Sequence, residues 1–209
     1  MFARNQTVCK FMRSLPDRKI WGSTWVRGRF GAKLDRWLTT SVERFDYPSF
    51  KCALMLGADP KIDASIGTDY PLATRIARSD EPDFLRSLLG FGADVRANGA
   101  PGAYLPIHMA ASKGAGRTLR VLIEFGADVG ERYLHPEGTD SKISTVGWSA
   151  LIIACRQSKP DAIAPLLAAG ADPNDRDGSG ASVLDMCEKS GCADGAQMIR
   201  EAMARVATK

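Results

Sequence analysis

The tripeptide Gly-Ala-Asp occurs four times, at 57–59, 92–94, 126–128 and 170–172, at intervals of 35, 34 and 44 residues. A near-constant period of this length constrains the fold more than any bulk property of the chain, because each period must be one supersecondary unit stacked on the next. Each copy follows an apolar run (FKCALML, FLRSLLGF, LRVLIEF, IAPLLAA) and precedes a polar stretch. Asp194-Gly195-Ala196 uses the same letters in another order and is not a fifth copy.

Each unit reads as two short helices and a turn. In the third, Leu105-Pro106-Ile107-His108-Met109-Ala110-Ala111 opens a helix with proline in its first turn, where a missing N–H costs nothing. Gly114 ends it. Thr118 to Phe125 forms the second helix, with Leu119, Leu122 and Ile123 on one face. Gly126 is expected to stop that helix by taking positive φ, and Gly57, Gly92 and Gly170 to do the same in their units. Helices of roughly eight residues are too short to stand alone. The units must bury their apolar faces on one another, giving a solenoid with contacts only between neighbours.

These units resemble ankyrin repeats, whose consensus opens Thr-Pro-Leu-His and closes near Gly-Ala-Asp. In Leu105-Pro106-Ile107-His108, His108 corresponds to the family's histidine. Tyr70-Pro71-Leu72-Ala73 keeps the Pro and Leu but lacks Thr and His; Ser149-Ala150-Leu151-Ile152 and Ser182-Val183-Leu184-Asp185 keep the Leu and a Thr-like Ser. The resemblance covers about residues 33–207, and the rival is another helical-pair repeat. It implies an all-α, ankyrin-like solenoid of about five helix-turn-helix units, at 33–66, 67–101, 102–135, 147–179 and 180–207. In unit one, Leu34, Trp37, Leu38 and Val42 mark the first helix. In unit five the helix Gly195 to Val206 mixes apolar and charged residues, as suits a terminal cap. His108 is expected to link the turns of adjacent repeats.

The last interval exceeds the 34-residue period by ten (44 − 34). The excess lies in an inserted loop at about 130–147, which is either a tolerated surface loop or part of a binding surface. Ligands of the family usually dock on the concave face formed by loop tips and first helices. That resemblance implies contact residues Tyr70, Arg75, Arg96, Tyr104, Met109, Tyr133, Trp148, Asn174 and Arg176. Trp148 and Tyr104 are the best anchors, because aromatic side chains bury much area at small entropic cost. Trp148 could equally close the inserted loop onto the stack.

The net charge of +4 is unevenly placed. Residues 1–37 hold nine Lys or Arg and two Asp, whereas 38–209 hold 19 basic and 22 acidic residues. The basic end is therefore an extension, residues 1–32, outside the repeats, with Arg18, Lys19, Arg27 and Arg29 interleaved with Trp21 and Trp25. Its aromatics suit packing on unit one to cover the open end of the stack. Alternatively, the arm grips nucleic acid by phosphate contacts and stacking, associates with an anionic membrane or targets an organelle, or serves secretion or partner binding. No continuous apolar core follows the basic residues, which disfavours a cleaved secretory signal, and no apolar run is long enough to span a membrane.

Signals for chemistry are sparse. The two histidines are His108 and His135, the latter in the inserted loop. No HExxH, paired CxxC or Gly-x-Ser-x-Gly occurs, and the Asp175–Gly180 carboxylates lack the Glu of a calcium loop, Met186 standing in its place. No cofactor or metal is implied. Five cysteines, Cys9, Cys52, Cys155, Cys187 and Cys192, are few and spread out. Free, packed thiols and a reduced, cytoplasmic or intracellular protein are expected. The reading is a non-catalytic binding module for another protein: an adaptor, an inhibitor or a host-directed bacterial effector. An arm-mediated nucleic-acid or membrane protein, and an enzyme with an unrecognised site, are the alternatives.

Overall fold

The computed structural model describes residues 24–62, 70–97, 104–133 and 147–207. Among them are ten helices in five pairs: α1 (Thr24–Glu43) with α2 (Tyr47–Met55), α3 (Leu72–Ala77) with α4 (Pro82–Gly90), α5 (Pro106–Lys113) with α6 (Gly116–Glu124), α7 (Ala150–Arg156) with α8 (Pro160–Ala168), and α9 (Val183–Lys189) with α10 (Ala193–Ala207). First helices α3, α5, α7 and α9 pack in series, as do second helices α2, α4, α6, α8 and α10. The result is a helical solenoid whose core runs continuously from Leu34 to Ile199. One departure from an all-helical chain is a two-residue antiparallel pair, β1 (Arg132–Tyr133) with β2 (Trp148–Ser149), in the register Arg132↔Ser149 and Tyr133↔Trp148. It closes the base of the inserted loop.

Helix starts follow local chemistry. Proline occupies the first turn of α2, α4, α5 and α8, where no backbone donor is lost. Ser149 and Ser182 cap α7 and α9, and Ser182 forms a reciprocal capping box with Asp185. The cap of α6 comes from the preceding unit. Asp80 Oδ1 accepts the Arg117 and Thr118 backbone N–H groups at 2.9 and 3.1 Å, while its Oδ2 accepts Arg117 Nε at 2.8 Å. Burial pulls the Asp80 carboxyl upward, but these bonds and the Arg117 charge outweigh it and hold it below its ordinary value.

Gly-Ala-Asp has a physical role at each of its three positions. The glycines Gly57, Gly92, Gly126 and Gly170 take φ of +94°, +99°, +88° and +93°, a conformation that side chains disfavour. The following alanine then turns its N–H back onto the helix: Ala58 to Ala53 O, Ala93 to Leu88 O, Ala127 to Leu122 O and Ala171 to Leu166 O. That is the six-to-one bond of a Schellman stop. The aspartate accepts a backbone N–H two residues on, from Lys61, Arg96, Gly130 and Asn174 at 2.8–3.0 Å. This Asx turn launches the loop toward the next unit.

Helix α1 begins at Thr24 and so crosses the boundary expected between residues 32 and 33. Cys155, Cys187 and Cys192 are free and buried. Cys155 lies beside Cys187, and their hydrogen bond together with burial holds the Cys155 proton in place. Cys52 is disulfide-bonded, against the expectation that the cysteines stay free.

Candidate functional site

The first helices begin in equivalent ways, and the residue just ahead of each cap matters most. The caps of α3, α5 and α7 are Pro71, Leu105 and Ser149. The residues before them are Tyr70, Tyr104 and Trp148, all half-buried. Each stands the same number of residues ahead of its unit's Gly92, Gly126 or Gly170. Because α3, α5 and α7 pack in series, the three rings form a ladder with one rung per unit. In unit five Ala181 occupies the position, and the ladder ends.

The rungs are tied to their surroundings. Tyr104 stacks on Tyr133 with ring centroids 4.2 Å apart. Its phenol is pushed above the ordinary value, first by burial and then by the neighbouring Tyr70, while Arg156 pulls it back. Arg156, at the end of α7, lies over the Trp148 ring at 4.3 Å, a cation–π contact. Arg156 also faces Asp177 at 3.8 Å. Arg132 of β1 donates to Gly147 O at 2.7 Å and pairs with Asp175. Ser149 Oγ donates to the other Asp175 oxygen at 2.6 Å. Both strands flanking the inserted loop are thus fastened to unit four.

Beneath the ladder, His108 is fully buried. Its Nε2 lies 2.9 Å from Glu131 O. A carbonyl only accepts, so Nε2 carries the proton and the ring is the neutral Nε2–H tautomer. Nδ1 is buried without a partner. The cap residue of α5 is Leu105, which has no hydroxyl to offer it. Unit two solves the same problem differently: Thr74 Oγ1 donates to Ala97 O at 3.0 Å, with the same sequence separation of 23 as His108 to Glu131. Thr74, one residue beyond the quartet Tyr70-Pro71-Leu72-Ala73, therefore stands where unit three has His108.

Burial lowers the His108 pKa, and the Glu131 carbonyl only partly offsets it. The unfolded chain, with an ordinary value near 6.5, then binds the proton more readily. The stability contributed by the neutral ring is present above about pH 6.5 and is lost as pH falls from there through the folded value. Urea denaturation midpoints are expected to decline between about pH 7 and pH 5.5, and His108→Gln, which keeps a donor toward Glu131 O, is expected to flatten that slope. An equal slope in both proteins would assign the pH dependence elsewhere.

Of the contact residues expected from sequence, Tyr70, Tyr104 and Trp148 take equivalent places ahead of α3, α5 and α7. Asn174 and Arg176 are exposed on the loop after unit four, Arg176 donating to Gly180 O at 2.7 Å. Arg75 and Arg96 lie on neighbouring loops and helices but are engaged by Glu43 and Glu131. Met109 and Tyr133 are corrections: both are buried. Met109 faces the core from α5, and Tyr133 is covered by strand pairing and by Tyr104. Arg18, Lys19 and Trp21 lie outside the described residues, as do His135 and Cys9. Trp25, Arg27 and Arg29 fall on α1, ahead of its described side chains. Sequence reasoning missed Arg156, Arg132 and Asp80; the partners of Arg132 and Asp80, Asp175 and Arg117, lie one unit away.

Helix pairs stacked in series, the first four ended by a glycine stop and an Asx turn, define a repeat-built helical solenoid. A family model for ankyrin repeats, three copies, matches residues 72–177, half of the chain, and the chain belongs to the ankyrin repeat family. Comparison with curated proteins gives no significant match. Ankyrin repeats are in general protein–protein interaction modules. No helix among the described residues is long and apolar enough to cross a membrane.

Proposed function

We propose that this protein is a non-catalytic binder that holds a partner protein on the face carrying Tyr70, Tyr104 and Trp148. It acts stoichiometrically, as an adaptor or an inhibitor, and binding recruits or masks the partner. The aromatic ladder carries this reading. Three large rings stand half-buried at one structural position on consecutive units, Tyr104 backed by the Tyr133 ring and Trp148 by the ion-paired Arg156, and such rings are pre-organised anchors. Such anchors dominate interface energies because they lose little side-chain entropy on binding. The chain leaves for the insertion through β1 and returns through β2, which carries Trp148 itself.

The test starts with affinity purification from the native source and measures the captured partner by calorimetry. Trp148→Ala and Tyr104→Ala are each expected to cost about 2 kcal/mol of binding, roughly thirtyfold in Kd. Circular dichroism should show the helices retained. Unchanged affinity in the double variant would remove the ladder from the binding surface.

A further inference from the structure

The ladder's period and the charges beside it together describe an occupant. Packed helices lie roughly 8–10 Å apart, so successive rungs recur at about that interval. A polyproline II chain repeats every three residues, about 9.3 Å at 3.1 Å per residue. A segment in that conformation presents every third side chain to one face, in step with Tyr70, Tyr104 and Trp148. A β-strand does not, since residues three apart point to opposite faces.

The ion pairs beside the ladder are asymmetric in exposure. The Arg156 side chain is 45% exposed and its partner Asp177 7%; Arg132 is 35% and Asp175 10%; Arg96 is 64% and Glu131 20%. In each, the carboxylate is turned inward and holds a guanidinium that faces water. The order reverses at unit one, where Glu43 is 58% exposed and Arg75 18%. Arg96, Arg132 and Arg156 thus present guanidinium groups along units two to four, Arg96 with the exposed Asp94 and Asp128 nearby, although residues 38–209 are net acidic. The less exposed carboxylates pre-orient these arginines, so a ligand carboxylate meets donors already in place.

We infer that the ladder takes an acidic, proline-rich segment of a partner protein in polyproline II conformation, with an apolar residue at every third position against the rings and carboxylates toward Arg96, Arg132 and Arg156. This rests on the reading of the ladder face as the binding surface. Fluorescence anisotropy with the full chain tests it, using labelled fifteen-residue peptides of Leu-Pro-Glu repeats, Leu-Pro-Lys repeats, and Leu-Pro-Glu-Gly repeats that shift the period to four. The Leu-Pro-Glu peptide is expected to bind at least about tenfold tighter than either other, more weakly as salt rises, and about tenfold more weakly to Arg156→Gln. Equal binding of the three, or none by the Leu-Pro-Glu peptide, overturns the inference. Selection from a random twelve-residue peptide library on the same chain separates the two levels. Trp148-dependent peptides with neither acid nor a three-residue period overturn the ligand class and leave the ladder face standing. A selection yielding no Trp148-dependent peptide takes down both.

Discussion

Gly116→Ala is expected to destabilise the stack by about 3 kcal/mol, a large effect for one methyl group. Helix propensity alone argues the other way, since Ala is favoured over Gly by about 1 kcal/mol within a helix. Packing decides the sign. Gly116 opens α6, and a Cβ there would lie 2.3 Å from the Asp161 carbonyl oxygen of α8 and 3.2 Å from its carbon. The obstacle is backbone in the first turn of a neighbouring helix, so no rotamer change relieves it. Units three and four must separate along their second helices, and the contacts of Leu119, Val121 and Leu122 loosen with them. Thermal melting should show a loss of roughly 6–12 °C, taking about 2–4 °C per kcal/mol for a chain of this size. Gly90→Ala is the control: it lies within α4, a Cβ there meets nothing within 4 Å, and its melting point should hold or rise. A Gly116→Ala protein as stable as the parent would show that α6 and α8 do not approach so closely.

That contact marks the limit of what could be read from sequence. The period announced the stack, and the glycines announced the helix stops, because both are local. Two further features are equally local. The aspartate of Gly-Ala-Asp bonds two residues ahead, a short-range pattern that its four-fold recurrence signals. Tyr70, Tyr104 and Trp148 keep a constant distance from Gly92, Gly126 and Gly170, and counted from those glycines Thr74, not Ala73, holds the place of His108. Other features were out of reach. Met109 and Tyr133 are buried because of what the neighbouring unit and the opposing strand lay over them. Asp80 caps a helix 37 residues away, and Arg132 finds Asp175 across the whole insertion. Neither spacing is a helical or strand period, so no pattern along the chain marks the pair.

Phe50→Ala tests whether the molecule behaves as a one-dimensional stack. Phe50 of α2 is fully buried, with its ring centroid 5.0 Å from Phe84 of α4. Tyr47 meets the same ring edge-on at 5.3 Å and bonds Ser87 Oγ at 2.8 Å. These aromatics join unit one to unit two. Truncating a buried Phe costs about 3–5 kcal/mol, which could unfold a marginal globular domain outright. Here the loss falls on one interface at the end of a series whose other interfaces are untouched. Hydrogen exchange should therefore quicken in α1 and α2, and partly in α4, while α7 and α8 keep the protection they have in the parent. Equal loss of protection from α2 to α10 would instead make the five pairs one cooperative unit. In that case the binding face could not be altered at one rung without cost to all the others, and the ladder would be bound or lost as a whole.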